Sequence, residues 1–215
     1  LYGGYVVMTI LPSIASANQA ELKVEINRLK GHPYLHFDVE DGNFVPNITF
    51  GHKTIRALRP LSSGAFDAHL MVTNPLDYIG ALRELNFQAI AFHWESTAYP
   101  MRVIHAIQDS NCRAGIALNP RTPADAILPY LDTVDYVLVM TSEPDGRGDL
   151  FQTHVLDKIR QLRSASSKVS IVADGGIDKD ILSDVRSAGA DTAVIGRGVF
   201  SAPDPAERIR TFSMY

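Results

Sequence analysis

Short apolar, strand-like runs recur along the chain at Val7 to Ile10, Tyr34 to Val39, Ala65 to Val72, Ala89 to His93, Arg113 to Leu118, Tyr136 to Met140, Ser170 to Asp174 and Thr192 to Ile195. Between them apolar positions fall at helical spacing, over Gln19 to Leu29, Lys53 to Leu58, Pro75 to Glu84, Met101 to Ser110, Pro123 to Leu131, Thr153 to Ser164, Lys179 to Ala188 and Pro205 to Phe212. Runs spaced by roughly 27 residues match a repeating strand and helix unit. With no long low-complexity linker, the pattern predicts an α/β fold, a single (β/α)8 TIM barrel. A doubly wound open sheet is the alternative, but no GxGxxG follows the first run, and that architecture needs another strand count or insertions at this length. In a barrel the chemistry sits at the C-terminal ends of the strands, which directs attention to the residues there.

The stretch Tyr34 to Phe50, YLHFDVEDGNFVPNITF, stands out. It opens as an alternating strand with His36, Asp38 and Glu40 on one face and Leu35, Phe37 and Val39 on the other. An imidazole and carboxylates on a buried face need partners or a metal. The other strand ends supply them: Ser13 after the first, His69 on the third, His93 on the fourth and Asp174 on the seventh. A single strand-end His or Asp is more often a cap or a loop anchor, but a barrel mouth gathers these groups together. Two imidazoles and two carboxylates suit a divalent metal such as zinc, manganese or iron without any thiolate. His93, with Glu95 on its strand face, is better read as standing behind the ligands or positioning substrate.

Glycines mark two further places. Gly175 and Gly176 follow Asp174, and Gly196 with Arg197 ends the eighth run. Such turns suit an anion, commonly a phosphate in the last two loops of a barrel, and a guanidinium can grip its oxygens. Strand-to-helix turns also need glycine for purely structural reasons. The loop MTSEPDGRGDLF, from Met140 to Phe151, carries Gly146 and Gly148 and can be read as a lid or as a solvated surface loop.

Composition removes other classes. The 215 residues are 46% hydrophobic and 20% charged with a net charge of -4, and Lys and Arg are scattered, so the basic footprint of a nucleic-acid binder is absent. Cys112 is the only cysteine, which excludes an intramolecular disulfide and a multi-thiolate zinc site and fits a cytoplasmic setting. No run is long enough to span a membrane, and the first residues lack the features of a secretory signal. The expected organisation is an N-terminal extension or leader over residues 1–7, ahead of a candidate start at Met8, followed by a catalytic barrel over 8–215.

The phrases ILPSIASAN, HFDVEDGNFVPNITFG, AHLMVTNPLDYI, AFHWE, AGIALNPRTP, VLVMTSEP, VADGGI and VIGRGVF occur here in the same order as similar phrases in ribulose-phosphate 3-epimerases and their hexulose-phosphate relatives. The resemblance runs from Ile10 to Phe200. It implies a (β/α)8 barrel, one divalent metal ion (Zn, Fe, Mn or Co), no nicotinamide or flavin, a sugar-phosphate substrate and a homo-oligomer. By position, His36, Asp38, His69 and Asp174 match the family's metal ligands, and Asp38 and Asp174 also match its paired acid/base groups. Ser13, Met71 and Met140 match substrate-pocket residues, while Gly175, Gly176 and Gly196 match its phosphate site.

Three departures place the chain in an epimerase-like branch with an altered phosphate loop and lid. Glu40 replaces the methionine of DVMDG, PDGRG replaces PGFGG, and Arg197 replaces a serine. The expected activity is inversion of C3 of a ketose phosphate, either ribulose 5-phosphate or a related pentulose or hexulose phosphate, by two-carboxylate proton transfer through an enediolate. Glu40, His93, Gly146 and Gly148 are further expected to contact substrate, and Arg197 its phosphate. The alternative is a catalytically silent sugar-phosphate binding or regulatory protein. A decarboxylase of the related phosphate-binding barrels is disfavoured because DVEDGN lacks the lysine of a DxKxxD motif.

Overall fold

The strand-like runs become eight parallel strands in the computed structural model, which describes residues 8–144 and 150–215. They are β1 (Thr9–Pro12), β2 (Tyr34–Glu40), β3 (Ala65–Met71), β4 (Phe87–His93), β5 (Arg113–Leu118), β6 (Tyr136–Met140), β7 (Ser170–Asp174) and β8 (Thr192–Ile195). Neighbours in sequence pair in order from β2 to β8, and β8 pairs with β1. A parallel bridge between Ser13 and His36 links the β1 end to β2 and brings the sheet round into a barrel. The first strand lies later than the expected Val7 to Ile10 because Thr9 to Pro12 align with Thr192 to Ile195. Val7 and the rest of the 1–7 extension lie outside the described residues.

The helices are α1 (Leu22–Arg28), α2 (His52–Leu58), α3 (Leu76–Glu84), α4 (Pro100–Gln108), α5 (Val155–Ala165), α6 (Lys179–Ala188), α7 (Arg197–Phe200) and α8 (Pro205–Ser213). The helix expected over Pro123 to Leu131 is instead two 3-10 turns, Ala124–Ala126 and Leu128–Tyr130. Pro129 explains the difference: it donates no N–H, and its ring would collide with the carbonyl one helical turn back. Elsewhere local signals act as the pattern implies. Asp178 caps α6 by accepting the amides of Asp180 and Ile181 at 2.9 and 3.2 Å. Gly189 ends the same helix at φ +112°, a conformation that costs glycine little.

Strand alternation sorts the side chains into two environments. Outward residues join the helices in the main core, where Phe37, Phe66 and Phe87 meet with ring centroids 4.8 to 5.6 Å apart. Burying each such ring contributes about 1.5–3 kcal/mol. Inward residues divide along the barrel axis. Leu11, Ala89, Ala91, Ala117, Tyr136, Leu138, Met140, Val172 and Val194 form an apolar filling. His36, Asp38, His69, His93 and Asp174 also lie inside, at or towards the C-terminal ends of their strands.

The filling mixes a large ring with small neighbours. A Cβ on Gly115 would fall 2.4 to 2.7 Å from atoms of the Tyr136 ring, its partner in the β5–β6 register. Gly115→Ala is therefore expected to destabilise the protein by ~1–3 kcal/mol, measured by urea unfolding. Adding Tyr136→Leu to that variant should recover most of the loss, since the two positions share one space.

Candidate metal centre and active site

β2, β3 and β7 deliver four side chains to one point. One ligand-capable atom from each of His36, Asp38, His69 and Asp174 lies within 4.8 Å of the others. His36 Nε2 is 3.2 Å from Asp38 Oδ1 and 3.7 Å from Asp174 Oδ2, while His69 Nδ1 is 3.2 Å from each of the same two oxygens. Asp174 Oδ2 is buried yet has no hydrogen bond, despite two imidazole nitrogens at ion-pair distance. Two nitrogens and two oxygens facing a common centre, one of them a buried orphan, fit a divalent cation of mixed N/O preference.

The electrostatics match that donor set. Burial is the largest single influence on His36 and acts to lower its pKa, but the carboxylates of Asp67, Asp38 and Asp174 overcome it and raise the pKa well above the ordinary value. His69 follows the same balance, with Asp174 and Asp38 carrying it to about 9 against burial. Burial pushes Asp38 up, yet His36 and His69 hold it far below the usual carboxylate range. The pocket thus favours an ionised Asp38 and positive charge at its centre, whether from imidazolium protons or from a metal.

Hydrogen bonds outside the cluster orient its members. Ser13 donates from Oγ to Asp38 Oδ2 at 2.5 Å, leaving Oδ1 towards the imidazoles. His36 Nδ1 meets Asp67 Oδ1 at 2.6 Å. His69 Nε2 meets His93 Nε2 at 2.9 Å, and His93 Nδ1 meets Glu95 Oε2 at 3.1 Å. Asp67 was not among the candidates from sequence, although it precedes His69 by two residues and shares its strand face in FDAHLM. Its signal was the same alternation that exposes His36 and Asp38.

A cavity of about 300 Å³ adjoins the cluster, reaching from Asp38 and Asp174 to Gly175, Gly176, Gly196 and Arg197. Gly175 and Gly176 have φ of +115° and +65°, and a Cβ on Gly176 would fall 2.5 Å from the Phe151 amide nitrogen. A Cβ on Gly196 would strike the Ser16 side chain. Glycine here lets three loops approach one another closely. Ser16, Ser142 and Leu150 also line this space and carried no motif of their own in the sequence.

Met140 ends β6 beside Asp174 in the β6–β7 register, and Met71 ends β3 beside Glu40. Glu40 lies apart from the glycine cavity. Its Oε2 accepts from Asn47 Nδ2 at 2.6 Å, and it lines a separate depression with Asp41, Ile48, His52 and Tyr78. Burial, aided by repulsion from Asp38, pushes its carboxyl up to about 7. His93 is fully buried behind His69, with the Phe44 ring packed on it at a centroid distance of 4.8 Å. Gly146 and Gly148, with Arg147 between them, lie outside the described residues. Among the described residues no helix is long and apolar enough to cross a membrane.

Comparison with known proteins places this geometry. The profile of the Ribulose-phosphate 3 epimerase family matches residues 9–200. The cytoplasmic isoform of ribulose-phosphate 3-epimerase from Oryza sativa subsp. japonica is 37% identical over 206 residues, covering 93% of this chain and 90% of that protein. Ribulose-phosphate 3-epimerase 1 from Cupriavidus necator is 38% identical over 214 residues, covering 94% and 88%. Among solved structures, orotidine 5'-phosphate decarboxylase from Pyrococcus horikoshii superposes with a TM-score of 0.68 at 14% identity, covering 95% of this chain and 97% of that one. That last likeness concerns the barrel alone.

One buried cation supports the rim of the site. Lys158 Nζ donates to the carbonyls of Asn119 and Pro120 at 2.7 and 3.0 Å. Burial lowers its pKa from 10.5 to about 8, against the pull of Glu95. Below pH 8 the lysine is charged in folded and unfolded chains alike, and the folded state bears the full desolvation cost; this cost is relieved as pH rises from about 8 to 10.5. Urea titrations of wild type and Lys158→Met, at neutral pH and at about pH 10, should therefore show the stability difference moving in favour of wild type. A difference that stays constant or moves the other way contradicts the assignment.

Proposed function

The chain belongs to the ribulose-phosphate 3-epimerase family, enzymes that act as epimerases on carbohydrate phosphates, and we propose that it inverts C3 of a pentulose phosphate, ribulose 5-phosphate or a close relative, with Asp38 and Asp174 exchanging protons with C3 on opposite faces. The observation that carries this reading is the convergence of His36, Asp38, His69 and Asp174 on one centre beside a glycine-lined cavity.

His36 Nε2, His69 Nδ1, Asp38 Oδ1 and Asp174 Oδ2 would hold a divalent cation. Bound there, it supplies Lewis-acid stabilisation to the negative charge that develops on adjacent substrate oxygens. The protein's own groups do the rest. The C3 proton of a 2-ketose is acidified by the neighbouring carbonyl, and its removal leaves an enediolate that is planar at C3. One aspartate takes the proton from one face while the other, in its acid form, delivers a proton to the opposite face, so the configuration inverts with no change of oxidation state.

Asp38 and Asp174 suit these roles because they enter the site from β2 and β7, with β1 and β8 between them in the barrel wall. Ser13 steadies Asp38 through their 2.5 Å hydrogen bond. Met71 and Met140, buried at strand ends, give the carbon skeleton an apolar wall. The phosphate falls to Gly175, Gly176, Gly196 and Arg197, which line the same cavity as the proton-transfer groups. A cytoplasmic location belongs to the same reading, since Cys112, the only cysteine, is a free and buried thiol.

Incubation with ribulose 5-phosphate in heavy water should place deuterium at C3, observed by NMR, and Asp174→Asn should abolish the exchange. Asp38→Asn and Asp174→Asn should each lower kcat by at least about 100-fold. No exchange with any pentulose or hexulose phosphate, in protein shown to carry metal, would sink the proposal and favour a silent sugar-phosphate binder. A strong chelator should remove activity, and adding back Zn²⁺, Mn²⁺, Fe²⁺ or Co²⁺ should restore it; full activity in protein shown to be metal-free would contradict the cation's role.

A further inference from the structure

Behind His69 stands an imidazole that the proton-transfer chemistry does not use. His93 ends β4, is fully buried, and lies with its Nε2 2.9 Å from His69 Nε2. Two ring nitrogens at that distance share one hydrogen, so one ring must donate and the other accept. The direction follows from the opposite side of His69. Its Nδ1 faces Asp38 Oδ1 and Asp174 Oδ2 at 3.2 Å each, on the side where a cation would sit. A nitrogen that offers its lone pair to a cation carries no hydrogen, which places the hydrogen of His69 on Nε2. His93 Nε2 is then the acceptor, and the hydrogen of His93 is on Nδ1, pointing at Glu95 Oε2 3.1 Å away.

Glu95 closes the chain because it can only accept. Its other oxygen, Oε1, takes the Asn119 amide at 2.9 Å and the Thr122 hydroxyl, so the carboxylate is held from the β5 loop. The same loop is fastened by Lys158 on the carbonyls of Asn119 and Pro120. His36 is handled differently: Asp67 takes its Nδ1 hydrogen directly at 2.6 Å and leaves Nε2 for the centre. The two imidazoles thus present opposite nitrogens, and each orientation traces back to a carboxylate outside the cluster.

Given that the four-residue cluster is the cation site proposed above, we propose that Glu95 is a positioning residue acting at a distance: through His93 it holds His69 in the Nε2–H form and keeps Nδ1 open to the cation. Glu95→Gln tests this with little change of shape. A glutamine can still accept from Asn119 and Thr122 through its oxygen, but its amide then donates to His93 Nδ1. That forces His93 to donate from Nε2 and moves the hydrogen of neutral His69 onto Nδ1, where the cation belongs.

The measurements are Zn²⁺ affinity by competition with a chromophoric chelator and histidine tautomers by long-range ¹H–¹⁵N NMR. Zn²⁺-loaded wild type should show His93 protonated at Nδ1 and bare at Nε2, a result that needs no variant to fold. Glu95→Gln should bind Zn²⁺ roughly 10- to 100-fold more weakly and show the reversed His93 tautomer, with the metal-free melting temperature close to wild type. With His93 replaced by Phe, adding Glu95→Gln should produce no further loss of affinity, because the connection is already cut. Wild-type Zn²⁺ binding with undiminished affinity in Glu95→Gln, or a hydrogen on His93 Nε2 in wild type, would overturn the relay while leaving the cation site standing. Absence of Zn²⁺ binding in wild type would overturn both.

Discussion

Four ionisable side chains buried at one end of a barrel are tolerable only because they face one another. Any one of His36, Asp38, His69 and Asp174 alone in that interior would bear a desolvation cost of several kcal/mol. Together they form a set in which each carboxylate is matched by imidazole nitrogens at 3.2 to 3.7 Å. The balance is incomplete in one respect, since Asp174 Oδ2 has no hydrogen bond. A cation at the centre satisfies that atom and all three of its neighbours at once.

The rest of the barrel serves this arrangement. Below the cluster Tyr136, Leu138 and small residues of β4 and β5 fill much of the barrel interior. Outside the strands the phenylalanine cluster and the helices hold the registers that align Asp38 with His69 and Met140 with Asp174. The bridge that links the β1 end to β2 joins Ser13 to His36, and Ser13 also holds Asp38. The last contact in the barrel wall is therefore also a contact of the site.

The departures from the family's phrasing leave the four cluster residues in place. Glu40 sits on the inward face of β2 but turns to Asn47 and a depression of its own. Arg197 stands in the glycine cavity and adds charge to the region proposed for phosphate. Neither change alters the set of His36, Asp38, His69 and Asp174.

Period-two and helical spacing, which depend only on local backbone geometry, carried the strand count and the barrel. They located β5 to β8 to the residue, and they placed His36, Asp38, His69 and Asp174 on the mouth-facing side of their strands. The bounds of β2, β3, β4 and the first helix shifted by one to three residues, the short α7 was not expected, Pro129 broke an expected helix, and β8 set the start of β1. Partnerships were another matter. That His93 stands behind the ligands was read from sequence, but that it meets His69, that Asp67 holds His36, and that Asn119 and Thr122 anchor Glu95 depended on distances between segments 24 to 31 residues apart in sequence. The sequence determined which side chains would point inward; only the closed barrel, by setting register and curvature, decided which of them would touch.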